Sequence, residues 1–251
     1  MLLEQGARAR GYQLLIASSD DAPDSERQLL QLFRARRCDA LFVASCLPAD
    51  DDSYRTLQAQ GLPIIAIDRV MQPELFCSVI SDDQQASLQL TRSLLQPQPK
   101  QIVLIGARPE LSISQDRRAG FQQALAGFAG EVLVEHGEAF SRDCGRQLMQ
   151  ELLQRLGHLP DALVTTSYVL LQGVFDALHD FPLKSRPLRL GTFGDTQLLD
   201  FLPLPVNAMA QQHQLIADQA LQLALAAVEQ AHYQPGVHAI PRTFKQRIHE
   251  A

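Results

Sequence analysis

Short apolar runs alternate with longer amphipathic stretches along this 251-residue chain. Leu14–Ala17 reads as a strand. Ser25–Arg37 follows with Leu29, Leu30, Leu32 and Phe33 close to one helical face. Ala40–Ala44 is the next strand, Ser53–Gln60 a short helix, and Pro63–Ile67 a further strand. The unbroken apolar character of that last run suits a parallel sheet covered on both faces. The alternation then repeats: helices at Ser87–Leu95, Ser114–Ala126, Arg142–Leu156 and Val169–His179, strands at Gln101–Ile105, Val132–Glu135, Ala162–Thr165 and Leu188–Phe193. A short strand at Val206–Met209, a long apolar helix at His213–Gln230 and a final strand at His238–Phe244 complete the order. Such alternation favours right-handed βαβ units and parallel sheets. About ten strands is many for one open parallel sheet. Two packed α/β lobes are the better expectation, with the cleft between them as the default ligand site.

Composition narrows the possibilities only modestly. Hydrophobic residues make up 46% and charged residues 20%, with a formal net charge of -6, so a basic nucleic-acid surface is not the dominant feature. An anionic ligand then needs a local basic cluster rather than a global field. Cys38, Cys46, Cys77 and Cys144 form no CxxC pair, and their spacing suits neither zinc nor a disulfide framework. They read as reduced thiols of a cytoplasmic protein. The start, MLLEQGARARGY, lacks the long apolar stretch of a secretory leader. GxGxxG, Walker-type and GxSxG patterns are absent, as is HExxH. No catalytic residues, metal ligands or cofactor are expected. The acidic clusters Asp20-Asp21, Asp50-Asp51-Asp52 and Asp82-Asp83 read as solvated loops and helix caps.

Several segments, in order, resemble the lactose-repressor family of regulators: Arg10-Gly-Tyr-Gln-Leu-Leu-Ile, Cys38-Asp-Ala-Leu-Phe-Val, Leu62-Pro-Ile-Ile-Ala-Ile-Asp-Arg, Arg117-Arg-Ala-Gly-Phe, Asp161-Ala-Leu-Val-Thr-Thr-Ser and Thr192-Phe-Gly-Asp. Gly106-Ala-Arg-Pro-Glu-Leu-Ser-Ile-Ser, Thr165-Thr-Ser-Tyr-Val-Leu-Leu-Gln-Gly-Val and Thr192-Phe-Gly-Asp-Thr-Gln-Leu-Leu-Asp-Phe-Leu are similar to its fructose-responsive branch. The resemblance implies two Rossmann-like lobes of the periplasmic-binding-protein type, joined by three crossovers. The N-terminal lobe is then 1–81 plus 212–236, the C-terminal lobe 82–211 plus 237–251. It also implies a dimeric, non-enzymatic sensor of fructose 1-phosphate or fructose 1,6-bisphosphate, in which ligand-biased lobe closure releases operator DNA. No helix-turn-helix is expected within these residues, and Met1 falls inside what resembles the family's first helix. A central strand precedes that helix in the family.

Effector-binding candidates follow from the family motifs and from strand ends. Arg117 matches the sugar-contacting arginine of the RxxGF motif; Ser114 is expected to cap its helix and so place Arg117 in the first turn, beside free N–H groups. Asp68 and Arg69 end an apolar strand, where residues of a parallel sheet face a ligand crevice; Ser45 ends the preceding one. Ser167 stands at the family's usual asparagine. Gly194 stands where many relatives carry a sugar-binding aspartate, with Asp195 beside it, which would favour a phosphorylated ligand; a simple turn glycine is the alternative. Gln211 and Arg242 lie at expected crossovers. Two rivals stay open: the sugar-binding protein of a transport system, which has the same architecture, and an α/β sugar-phosphate enzyme.

Overall fold

The computed structural model describes residues 2–48, 50–179, 188–202 and 204–248. In chain order the elements are α1 (Leu2–Arg8), α2 (Pro23–Ala35), β1 (Leu41–Val43), α3 (Ser53–Ala59), β2 (Ile64–Ile67), β3 (Cys77–Ser81), α4 (Asp83–Arg92), β4 (Gln101–Ala107), α5 (Ser112–Ala124), β5 (Glu131–Gly137), α6 (Arg142–Leu156), β6 (Ala162–Thr165) and α7 (Tyr168–His179). They continue as β7 (Arg189–Phe193), a 3-10 turn (Gln197–Phe201), β8 (Val206–Ala210), α8 (His213–Gln230), β9 (Gly236–Ile240) and β10 (Thr243–Lys245). Two compact units result: Met1–Ser81 with Gln212–Ile240, and Asp82–Gln211 with Pro241–Ala251.

The first unit holds a parallel sheet of order β1-β2-β3-β9. β3 is not visible in the apolar pattern, because Ser78 and Ser81 interrupt it. Both are buried, and the Ser78 hydroxyl takes the Met71 N–H at 3.2 Å. The expected strand at Leu14–Ala17 does not form. β1 is the end of the sheet's strand order, bonded to β2 alone, and a strand exists only where a neighbour takes up its backbone groups. Between Leu14–Ala17, Leu41, Phe42 and the apolar face of α8 lies a cavity of about 820 Å³.

The second unit holds the order β10-β8-β7-β6-β4-β5, parallel except where β10 pairs antiparallel with β8. Every residue of β4 is buried, as expected for a strand covered on both sides. Its alternation splits the core in two. Val103, Ile105 and Ala107 pack with α6 and α7 residues such as Met149, Leu152 and Leu171, while Ile102 and Leu104 pack with Leu90 of α4 and Phe121 of α5. Each fully buried aliphatic side chain contributes about 2 kcal/mol. Local signals fix the helix ends. The Asp82 carboxylate accepts the Gln85 N–H at the start of α4, and the Ser141 hydroxyl accepts that of Cys144 at the start of α6. Gly157, at φ 71°, closes α6 in the left-handed conformation.

Three expectations need correction here. The single tail strand is two, interrupted at Pro241 and Arg242: β9 joins β3 in the first unit and β10 joins β8 in the second. The last change of unit accordingly falls after Ile240 and not after residue 236. Ser114 does not cap α5, because the helix starts at Ser112, with Leu111 at the cap position. The Ser114 hydroxyl instead donates to the Ala107 carbonyl at 2.7 Å. Arg117 is thereby carried past the first turn, away from the free N–H groups. Among the described residues no helix is long and apolar enough to cross a membrane.

Glu26 organises the loop after β1. It is 4% exposed, and its carboxylate accepts from the hydroxyls of Ser45 and Tyr54, each at 2.5 Å, from the Cys46 N–H at 2.8 Å and from the Cys46 thiol at 3.0 Å. Burial alone would raise its pKa. The hydrogen bonds from Cys46, Ser45 and Tyr54 outweigh burial and hold it below the ordinary glutamate value. The Cys46 thiol moves the other way, pushed up to about 11 by burial and by Glu26.

Two predictions follow from this packing. Glu26→Gln turns one acceptor into a donor facing donors, and should cost about 1–3 kcal/mol at neutral pH by urea unfolding. A carboxylate with a depressed folded pKa contributes stability above its unfolded pKa, and that contribution fades as pH falls through the folded value. The gap between parent and variant should therefore narrow in acid, and a gap independent of pH would refute the assignment. In the second unit, a Cβ on Gly120 would lie 2.1 Å from the Gln84 carbonyl oxygen and 2.7 Å from the Ser87 Cβ. Gly120→Ala should cost about 3 kcal/mol by forcing α4 from α5; a loss within error of zero would show that the helices part freely.

Candidate functional site

The carboxyl ends of the first unit's strands carry Ser45, Asp68 and Arg69. Asp68, directly after β2, sits at φ 68°, a strained conformation for a residue with a side chain. Its N–H bonds to the Val79 carbonyl at 3.0 Å, so β3 holds the bend. Arg69 then turns back over the end of β1. Its guanidinium donates to the Ser45 carbonyl at 3.0 Å and pairs with Asp21 at 2.8 Å. Burial opposes its charge, but Asp21 and Asp68 more than offset this and raise its pKa. The Ser45 hydroxyl is committed: it donates to Glu26 and accepts the Leu47 N–H at 3.1 Å. Ser45 thus shapes the loop that presents Arg69.

The second unit gathers a denser cluster. Gly120 lets α5 cross α4 closely, and the Ser87 hydroxyl donates to the Arg117 carbonyl at 2.6 Å across that crossing. Arg117 is 5% exposed. Its Nε and Nη2 reach Asp83 Oδ2 at 3.0 and 2.8 Å, and its Nη1 donates to the Thr166 carbonyl at 2.6 Å. Arg242 arrives from the chain's end, two residues beyond β9. Its Nε donates to the other Asp83 oxygen, Oδ1, at 2.5 Å. Both guanidiniums lie over the Phe193 ring, 4.5 Å from the centroid for Arg117 and 5.2 Å for Arg242, which adds cation–π attraction. Nearby, the Asp116 carboxyl is pushed up by burial and by the charges of Asp83 and Asp82, with Arg117 opposing.

Buried charges require partners, and breaking such a pair costs about 3–5 kcal/mol. Here two cations share one carboxylate, on an aromatic floor. This is the chemistry of an anion site: planar donor forks, preorganised and largely removed from water. Among the described residues no group of three or more His, Cys, Asp or Glu is placed to hold a metal ion.

The other candidates do not join this cluster by any described contact. Ser167 accepts the Leu170 N–H at 3.3 Å and so caps α7. Asp195 pairs with Arg247 at 2.9 Å, alongside Asp200. Gln211 follows β8 as the last residue before the chain leaves the second unit. Gly194 has φ 91°, and a Cβ there would meet the Tyr168 Cβ at 3.2 Å, so the turn itself requires glycine. Reading Asp82-Asp83 as a solvated cap holds for Asp82 alone. Asp83 is 5% exposed and is the hub of the site. The sequence carried no local signal for it, since Asp82 and Asp83 are adjacent and only folding buries the second. The role of Phe193 had no signal beyond its place at the end of an apolar strand.

Comparison with known proteins places these clusters in context. Residues 1–180 match the family described as periplasmic binding proteins and sugar binding domain of the LacI family. The fructose operon regulatory protein of Vibrio cholerae is 46% identical over 98% of this chain and 75% of its own length. The catabolite repressor/activator of Escherichia coli K12 is 38% identical over 98% of this chain and 74% of its own. The crystal structure of the Cra transcriptional dual regulator from Pseudomonas putida, in complex with fructose 1-phosphate, superposes with a TM-score of 0.95. It is 72% identical and covers 99% of this chain and 92% of that one. The chain therefore belongs to the LacI family and carries that family's effector-sensing domain, that of a regulator of sugar metabolism.

Proposed function

We propose that this domain binds fructose 1-phosphate, with fructose 1,6-bisphosphate as the second candidate, and that its phosphate is received by Arg117 and Arg242. One observation carries the reading: two buried guanidiniums, stacked on Phe193, share the single carboxylate of Asp83. The fructose 1-phosphate bound by the Pseudomonas putida protein is the matching ligand chemistry. Within the first unit, Asp68 and Arg69 are proposed as effector-binding residues, Asp68 accepting sugar hydroxyl protons and Arg69 adding positive charge. Ser45, Ser114 and Ser167 support it through the loop and helix contacts already described. Asp195 and Gln211 enter with no described contact to the arginine cluster.

In this reading the ligand is sensed and left unchanged, in the cytoplasm, by a homodimer whose operator affinity falls on binding. A ligand shifts a regulator between DNA-bound and DNA-free states only through a difference in its affinity for the two. By reciprocity, operator DNA weakens effector binding by the same factor.

Calorimetric titration tests the assignment. Arg117→Ala should weaken fructose 1-phosphate binding about 10- to 100-fold, the loss of a charged hydrogen bond of about 1.5–3 kcal/mol. Unchanged affinity would remove Arg117 from the site. Free fructose should bind far more weakly than its phosphate ester; equal affinities would remove the phosphate from the recognition. Separately, Asp68→Asn and Arg69→Gln should each lower affinity for the ester, and parent-like binding by both would remove these two residues from the assignment.

A further inference from the structure

The two arginines are held by a residue that no ligand-binding motif of the sequence marks. Asp83 opens α4. One of its oxygens binds Arg117, from the middle of α5, and the other binds Arg242, from beyond β9. β3 and β9 run side by side and in register, Ser81 opposite Ile240. Asp83 and Arg242 each come two residues after that pair, so the carboxylate ties together the two strands' continuations as well as the two cations. A dianionic ligand group and a fixed carboxylate compete for the same donors, and they repel each other.

We propose that Asp83 is a resident counter-anion of the effector site. It holds the arginines in the ligand-free protein, lowers the site's affinity for anions, and thereby sets the effector concentration at which the domain responds. This rests on the reading that Arg117 and Arg242 receive the phosphate. The arginines do not depend on Asp83 alone for their placement. Arg117 keeps its bond to the Thr166 carbonyl and the Ser87 bond to its own carbonyl, and both guanidiniums keep the Phe193 ring beneath them. Removing the carboxylate charge therefore changes the electrostatics more than the geometry. A unit charge a few ångströms from a dianion, at the dielectric typical of protein sites, alters binding by about tenfold or more. The same change strips two buried cations of their counter-ion, so the ligand-free protein becomes less stable while the anion-bound form recovers.

The test compares four chains: the parent, Asp83→Asn, Arg242→Gln, and the double variant. Each is titrated with fructose 1-phosphate, inorganic phosphate and free fructose by calorimetry, with melting temperature recorded alongside. Asp83→Asn should melt lower without ligand, bind both phosphate compounds about tenfold tighter, and gain a larger thermal shift from them than the parent. Its affinity for free fructose should not change, because no charge is involved. Arg242→Gln should bind phosphate compounds more weakly than the parent, and adding Asp83→Asn to it should recover affinity by a similar factor. The double variant keeps the parent's balance of one excess cation among the three groups, so it decides the matter if Asp83→Asn alone fails to fold. A purely structural aspartate would lower the melting temperature while leaving anion affinity unchanged or weaker in both backgrounds, and that result overturns the proposal. If Arg117→Ala and Arg242→Gln both bind fructose 1-phosphate like the parent, the site reading itself fails and the role of Asp83 falls with it. If they weaken binding but loss of Asp83 does not strengthen it, only the counter-anion is refuted.

Discussion

A parallel sheet covered by helices on both faces has only its strand ends left for chemistry. The faces are apolar and filled, and the backbone groups along the strands are consumed by the ladder. Every candidate group in this protein obeys that constraint. Asp68 and Arg69 leave β2, Thr166 follows β6, Phe193 ends β7, and Arg117 is folded back over the ends by α5. What distinguishes the second unit is how closely α4 and α5 cross. With Gln84 and Ser87 backed against a glycine at position 120, the start of α4 is brought against the middle of α5, and an aspartate and an arginine far apart in sequence form an ion pair in which two guanidinium nitrogens reach one carboxylate oxygen, with only 5–6% of each side chain exposed.

That pair explains the otherwise expensive burial of a second cation. Arg242 would be costly at 4% side-chain exposure unless it shared a counter-ion and an aromatic surface. Asp83 and Phe193 supply both. The result is a cluster that is already ionic, so in the proposed reading ligand binding exchanges one anion for another or adds one to the same donors. Such a site discriminates by charge as well as by shape. The first unit uses a different device: Glu26, held ionised by four donors, fixes the loop from which the Ser45 carbonyl receives Arg69.

The order of elements was legible because buried parallel strands and their covering helices leave plain periodic traces. Arg142–Leu156, Ala162–Thr165 and His213–Gln230 stand at the residues the pattern indicated. The exceptions have separate causes. β3 was hidden because Ser78 and Ser81, both buried, interrupt its apolar run. The tail strand, read as one from His238 to Phe244, is broken at Pro241, where a proline interrupts a ladder. Leu14–Ala17 has the sequence of a strand, but strand formation depends on a neighbour. The family motifs identified Arg117, and the strand ends identified Asp68 and Arg69. Asp83 was set aside with the solvated acids because in sequence it is one of two adjacent aspartates, and nothing local separates the cap from the buried partner.

The sequence by itself determined the α/β class, most element positions and membership of the sensor family, and it singled out Arg117 as a candidate, because these depend on periodicity and on short contiguous motifs. Tertiary structure alone decided which charges meet. Asp83, Arg117, Phe193 and Arg242 are separated by 34 to 159 positions along the chain where they pair. Only the close crossing of α4 and α5, and the return of the chain after β9, bring them to one place. A buried carboxylate and a solvated one look alike in sequence; what differs is the dielectric and the partners that folding places around them.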